Sequence, residues 1–362
     1  MDRLIDAIAA ADNPSVVGLD PKPALLPKQL IDNAREATIS ESEMGNPMGA
    51  EAAWSINFAA MYLRFNTAII DAVKDIVPAV KPQIAMYEAL GEAGLWMYAR
   101  TCKYAQDNGL YVLGDVKRGD IGSTAEAYAH HLSGFPLKFA DVADPDEVEN
   151  VERNAEANAV RIDDVEENGD EFQFGSEWYE DAVTVNPYLG TDGITPFIDA
   201  AAAHDKDIFI LVRTSNPSSS EIQELELAGG GRVYEHVADL VEGWGAETIG
   251  DHGYSRTGAV VGATHPEEGA RLRERMPHTF FLVPGYGAQG GTAADVARMF
   301  DADGSGAIVN SSRGIIGAWR NNPDYDEELG VDDALHVVAE SARAAAIAMR
   351  EDLNSALKEV RR

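Results

Sequence analysis

"YVLGDVKRGDIGSTAEAYA" spans residues 111–129. An apolar run opens it, and Asp115 and Lys117 then arrive two residues apart. Gly119 and Asp120 follow, and a helical pattern takes over. Strand side chains alternate, so Asp115 and Lys117 point to one face and Val116 to the other. A buried charge is costly unless it is paired. An acid and a base at the end of an apolar strand therefore mark either a structural ion-pair network or a chemical site at the rim of a sheet.

The same unit recurs along the chain. Short apolar runs stand at "SVVGLD" (15–20), "AVKPQI" (79–84), "AVTVNP" (182–187) and "DIFILVRT" (207–214), then at "AVVGA" (259–263), "FFLVPGYG" (280–287) and "GAIVNSS" (306–312). Amphipathic stretches separate them, at 59–76, 91–109, 231–247 and 332–360 among others. Apolar runs alternating with helices predict a parallel sheet covered by helices. Eight such units predict a closed (β/α)8 TIM barrel rather than an open sheet. The whole chain, 1–362, reads as one barrel domain. Two acid-rich stretches break the rhythm, at about 33–54 and 141–182, and both read as solvated loop insertions.

Composition narrows the partners. Sixty-one acids against 29 lysines and arginines leave a net charge of −32. That field repels nucleic acid and anionic lipid, so neither is an expected partner. A dense acidic surface stays solvated in concentrated salt, which points to a salt-loving cytoplasmic protein. No run of about 18 apolar residues appears, so no membrane span is expected. The single cysteine, Cys102, sits in a helical pattern and reads as a buried structural thiol.

In a barrel, the C-terminal ends of the strands converge on one site. The first run ends in Asp20, the second carries Lys81, the third carries Asp115 and Lys117 with Asp120 just beyond, and the fourth ends in Asn186. Two loops near the end favour an anion. "VPGYGAQGG" (283–291) supplies Gln289 among glycines that include Gly290, and a following helix start is expected to add its positive end. "NSSRG" (310–314) supplies Arg313, whose planar fork suits phosphate oxygens. Phosphate sites after the seventh and eighth strands are frequent in this barrel.

These residues resemble a known family. "GDVKRGDIGSTA" (114–125) is similar to the active-site signature of the orotidine 5'-phosphate decarboxylases, in particular their longer subfamily. "KPQIAMYEALG" (81–91), "VNPYLGTDGITPF" (185–197), "LVRTSNPSS" (211–219) and "VPGYGAQGG" resemble further segments of it, in the same order. The resemblance implies a homodimeric barrel that converts orotidine 5'-phosphate to UMP and carbon dioxide with no metal and no other cofactor. It implies a catalytic array of Lys81, Asp115, Lys117 and Asp120, with Asp120 and Thr124 reaching the partner's site. It implies Asp20 as a ribose ligand, Ser215 near the pyrimidine, and Gln289 and Arg313 on the phosphate; Asn186 and Gly290 are further candidate substrate contacts. With the acidity, it sets the expectation of a halophilic archaeal member.

Three rival readings follow from the same residues, one of them a Schiff-base aldolase using Lys117. Mg²⁺-dependent phosphosugar aldolases and decarboxylases of this barrel group share the Asp-x-Lys-x-x-Asp strand, but favour an acid where this chain has Lys81. An inactive, nucleotide-holding relative is the rival outside enzymes.

Overall fold

The eight apolar runs are eight parallel strands, and they close on themselves in chain order. The structure is a computed structural model and describes residues 1–43, 49–134 and 176–360. The strands are β1 (Ser15–Leu19), β2 (Ala79–Pro82), β3 (Tyr111–Arg118), β4 (Ala182–Val185), β5 (Asp207–Arg213), β6 (Thr257–Val261), β7 (Phe281–Pro284) and β8 (Ala307–Ser311). β8 pairs back onto β1, with Val16 opposite Asn310. This is the (β/α)8 TIM barrel that the rhythm of the sequence predicts.

Strand alternation sorts the core into two clusters. Val16, Ala79, Leu113, Phe209, Leu282 and Ile308 fill the barrel interior. Their neighbours Val17, Val80, Val112, Ile208, Phe281 and Val309 face the helices. Nearly every residue of a strand is therefore buried on one side or the other, which is why the runs read as continuously apolar. Gly258 makes room for this packing: a Cβ there would lie 2.6 Å from the Phe209 ring and 2.8 Å from the Phe280 carbonyl oxygen.

Two features differ from the sequence reading. The stretch at 33–54 is not a loop excursion where it is described. Helix Lys28–Glu43 and the start of helix Gly49–Val73 occupy it. Within it Glu36 is exposed while Ala34 turns to the core, so the acidity masks a helical period. The other feature is helix Asp2–Ala11, which precedes β1 and inserts Leu4, fully buried, into the cluster filling the barrel interior. Most of the insertion at 141–182 lies outside the described residues. Its end, Trp178 to Asp181, leads into β4, with Trp178 stacked on His131 at 4.6 Å. Cys102 is buried as expected, and burial pushes its thiol well above the usual range.

Candidate active site

One cavity of about 650 Å³ opens where the strands end. Asp20, Lys81, Asp115, Lys117, Ser215, Gln289 and Arg313 all line it. Asp120, Thr124, Asn186 and Gly290 do not. Asp120 and Thr124 sit on the rim beyond it, with Thr124 exposed. Asn186 caps the turn after β4, its side chain accepting from the Tyr188 amide at 3.0 Å.

The centre of the cavity floor is Asp115, which is 7% exposed. Lys81 Nζ donates to its Oδ2 at 2.6 Å, and Lys117 Nζ donates to its Oδ1. Lys81 also lies 4.0 Å from Asp20. The carboxylate is held well below its ordinary range: burial opposes the charge, but Lys81 and Lys117 more than reverse it. Lys81 is buried as well, and the charges of Asp115 and Asp20 outweigh that burial and raise it. Lys117 is the most exposed member, with nearly half of its side chain open to solvent.

Asp115 and Lys117 do share a face, but simple alternation is not the cause. β3 steps from Gly114 to Arg118 while β4 steps only from Val183 to Val185, so β3 bulges. Lys117 sits in this bulge at φ 46°, a left-handed conformation that costs a non-glycine residue about 1–3 kcal/mol. Strain stored at a site-lining lysine has to be held by something. Thr184 of β4 supplies one hold: its hydroxyl accepts from the Lys117 amide at 2.9 Å and donates to Asp115 Oδ1 at 3.1 Å. The sequence reading missed Thr184, because a hydroxyl in a valine-rich strand carries no pattern.

A separate buried network lies beneath the Thr214–Asn216 loop. Arg213 is fully buried at the end of β5. It donates to Glu268 at 2.5 Å and Ser219 at 2.6 Å, and pairs with Glu224. Gln223 accepts from Arg213 at 3.2 Å and from the Thr214 amide at 3.0 Å. The signal was present in "DIFILVRT", where a lone arginine ends an apolar run.

At the far side of the cavity, Arg313 donates to the Ala288 carbonyl at 3.1 Å and ties the two anion-favouring loops together. Gly285, Gly287 and Gly290 all have positive φ, at 103°, 68° and 102°, so the loop needs glycine at each. The expected helix start contributes little. Helix Ala293–Ala297 is five residues long and its amide end is capped by Thr292 and Asp295. Anion capture here rests on side chains and loop backbone.

Charge in the cavity runs against the rest of the molecule. Lys22, Lys81, Lys117 and Arg313 line it against two carboxylates, Asp20 and Asp115. In a chain of net charge −32, this local cationic excess marks a place for an anion. A divalent cation would meet Lys81 between the two acids. Among the described residues no three His, Cys, Asp or Glu side chains gather as a metal site.

Comparison with known proteins shows the family of the chain. The sequence model of the orotidine 5'-phosphate decarboxylase / HUMPS family matches residues 58–144 and 165–324. An orotidine 5'-phosphate decarboxylase of Rhodopirellula baltica is 39% identical over 351 residues, covering 97% of each chain. One of Clostridium acetobutylicum is 37% identical over 293 residues, covering 81% of this chain and 85% of its own. The structure of Leishmania donovani OMP decarboxylase superposes with a TM-score of 0.63 at 25% identity, covering 99% of this chain and 98% of its own.

Proposed function

We infer the activity of this chain from its family: the chain belongs to the orotidine 5'-phosphate decarboxylase / HUMPS family, and it decarboxylates orotidine 5'-phosphate to UMP and carbon dioxide. The observation that carries this reading down to residues is the Lys81–Asp115–Lys117 array at the floor of a cationic cavity.

The chemistry asks for such an array. Breaking the bond from the ring carbon to the carboxylate leaves an electron pair on a vinylic carbon, with no adjacent carbonyl to take it up. The ring offers imide carbonyls rather than a ketone, so a lysine Schiff base is not available. Preorganised charge is the remaining lever. In our reading, the Lys117 ammonium lies beside the developing carbanion, stabilises it and then gives it a proton. Carbon dioxide departs, and the neutral lysine regains a proton from solvent. Asp115 holds Lys117 in place and faces the departing carboxylate. Lys81 keeps Asp115 ionised. Asp20, whose Oδ1 is buried without a hydrogen-bond partner, accepts from a ribose hydroxyl. Ser215 meets the pyrimidine, and Gln289 and Arg313 grip the phosphate. That grip is remote from the reacting carbon, so its binding energy is available to order the site.

No cofactor enters this scheme. Loss of the orotate absorbance band on mixing enzyme with orotidine 5'-phosphate tests it. The rate is expected to be unchanged in a strong chelator and not to rise with added Mg²⁺. A chelator-sensitive rate would favour the phosphosugar rival, and no turnover at any salt concentration would favour the inactive one. Running the assay across salt also tests the proposed salt adaptation of the acidic surface, which fits a cytoplasmic enzyme of a salt-loving cell. No helix among the described residues is long and apolar enough to cross a membrane.

The active form is a homodimer in this reading. Asp120 and Thr124 lie outside their own cavity, beside Ile121, Tyr188 and Leu189, which are 54%, 81% and 49% exposed. Apolar side chains clustered on one rim support a partner there. A partner related by two-fold symmetry would receive Asp120 and Thr124 at its own site. Mixing Asp120→Ala with Lys117→Ala subunits, each inactive alone, is expected to restore roughly a quarter of the wild-type activity, one intact site in every mixed dimer. No recovery, with mixed dimers shown to form, would remove Asp120 from the partner's site.

A further inference from the structure

We infer that Thr184 is a positioning residue for the decarboxylation, acting through both Asp115 and Lys117. The inference rests on the proposed function for its consequence in turnover, but its geometry stands alone. The β3 bulge sets the run from Gly114 to Arg118 against only Val183 to Val185 on β4. The Lys117 amide therefore has no strand carbonyl to donate to, and the Thr184 hydroxyl takes that role at 2.9 Å. The same oxygen carries a single hydrogen, and it points to Asp115 Oδ1 at 3.1 Å. One side chain thus fixes the backbone of the lysine and the carboxylate that anchors its Nζ. β4 resumes its ladder just beyond, where the Asn186 amide donates to the Arg118 carbonyl at 2.8 Å.

Packing does not require this hydroxyl. Thr184 is 1% exposed and lines the cavity between Val183 and Val185, which face the helices. Valine has the same shape and would fill the same room. It would leave the Lys117 amide unpaired and would remove the only neutral donor to Asp115 among the described residues. The carboxylate would keep its two lysines, so its charge would persist while its orientation loosened. Lys117, strained at φ 46°, would lose the contact that holds its backbone.

Thr184→Val and Thr184→Ser in the full chain separate position from packing. In Thr184→Val, kcat is expected to fall about 10- to 100-fold, with KM and competitive inhibition by UMP within about threefold of wild type. Thr184→Ser keeps the hydroxyl and is expected to restore kcat to within about threefold. Amide hydrogen exchange gives a reading independent of the reaction. Exchange at residues 114–118 is expected to quicken about tenfold or more in Thr184→Val, and to return in Thr184→Ser, with the other strands unchanged. A wild-type kcat and unchanged exchange in Thr184→Val would overturn the inference. So would equal losses in the two variants, or a matching loss of UMP binding, which would make the role one of packing. A wild-type chain that turned over no orotidine 5'-phosphate would count against the proposed function, while the exchange result would still decide whether Thr184 holds the bulge.

Discussion

Lys117→Ala is expected to lose about 10⁴-fold or more in kcat/KM for orotidine 5'-phosphate while keeping its fold. The large effect follows from two roles in one group, since the ammonium supplies both the charge beside the carbanion and the proton that ends the reaction. The retained fold follows from what stays behind. Asp115 still accepts from Lys81 at 2.6 Å and from Thr184 at 3.1 Å. The side chain that is removed is 46% exposed and contributes little to the core. Lys117→Arg divides the roles. A guanidinium keeps the charge but surrenders a proton poorly, so it is expected to remain almost as slow. Absorbance decay measures the rates and urea unfolding measures the fold. Normal turnover in Lys117→Ala would remove Lys117 from the chemistry altogether.

The barrel can be read from the chain because its strands are buried on both sides. That burial forces eight short apolar runs, and a parallel sheet forces helices between them. The charged strand ends can be read for the opposite reason. Burying Lys81 or Asp115 is so costly that their presence in apolar runs demands a partner. What escaped reading had no such forcing. The helices across 33–43 and 49–54 are rich in acids, and the acids hide the period. The bulge in β3 is another case. Gly119 is the residue that advertises a turn, yet the positive φ falls on Lys117. Tertiary contacts to β4 choose that conformation, with Thr184 among them, and no local propensity announces it.

The same contacts govern stability. Asp115→Asn is expected to cost about 3 kcal/mol at pH near 7, with a pH dependence of definite sign. Asp115 lies well below its ordinary range because Lys81 and Lys117 overcome its burial. Its contribution is therefore present above the unfolded value of ~3.9 and is lost only as pH falls toward the folded value. Lys81 is opposite in direction: burial lowers it, and Asp115 and Asp20 carry it above its ordinary value. Its contribution is full below ~10.4 and is lost as pH rises through the folded value. Removing the Asp115 charge leaves, among the described residues, Asp20 at 4.0 Å to oppose the burial of Lys81. The shift then reverses, and a buried, depressed lysine becomes a liability at neutral pH that rising pH relieves. The deficit of Asp115→Asn against wild type is expected to shrink by about 1 kcal/mol between pH near 7 and pH near 9.5. Turnover is expected to fall about 10³-fold, because Lys117 loses its anchor. Urea unfolding of both chains at the two pH values isolates the effect, since every other titrating group is common to them. A deficit that stayed constant or widened would mean that Lys81 does not depend on Asp115 for its charge. The array would then be held by packing rather than by mutual neutralisation.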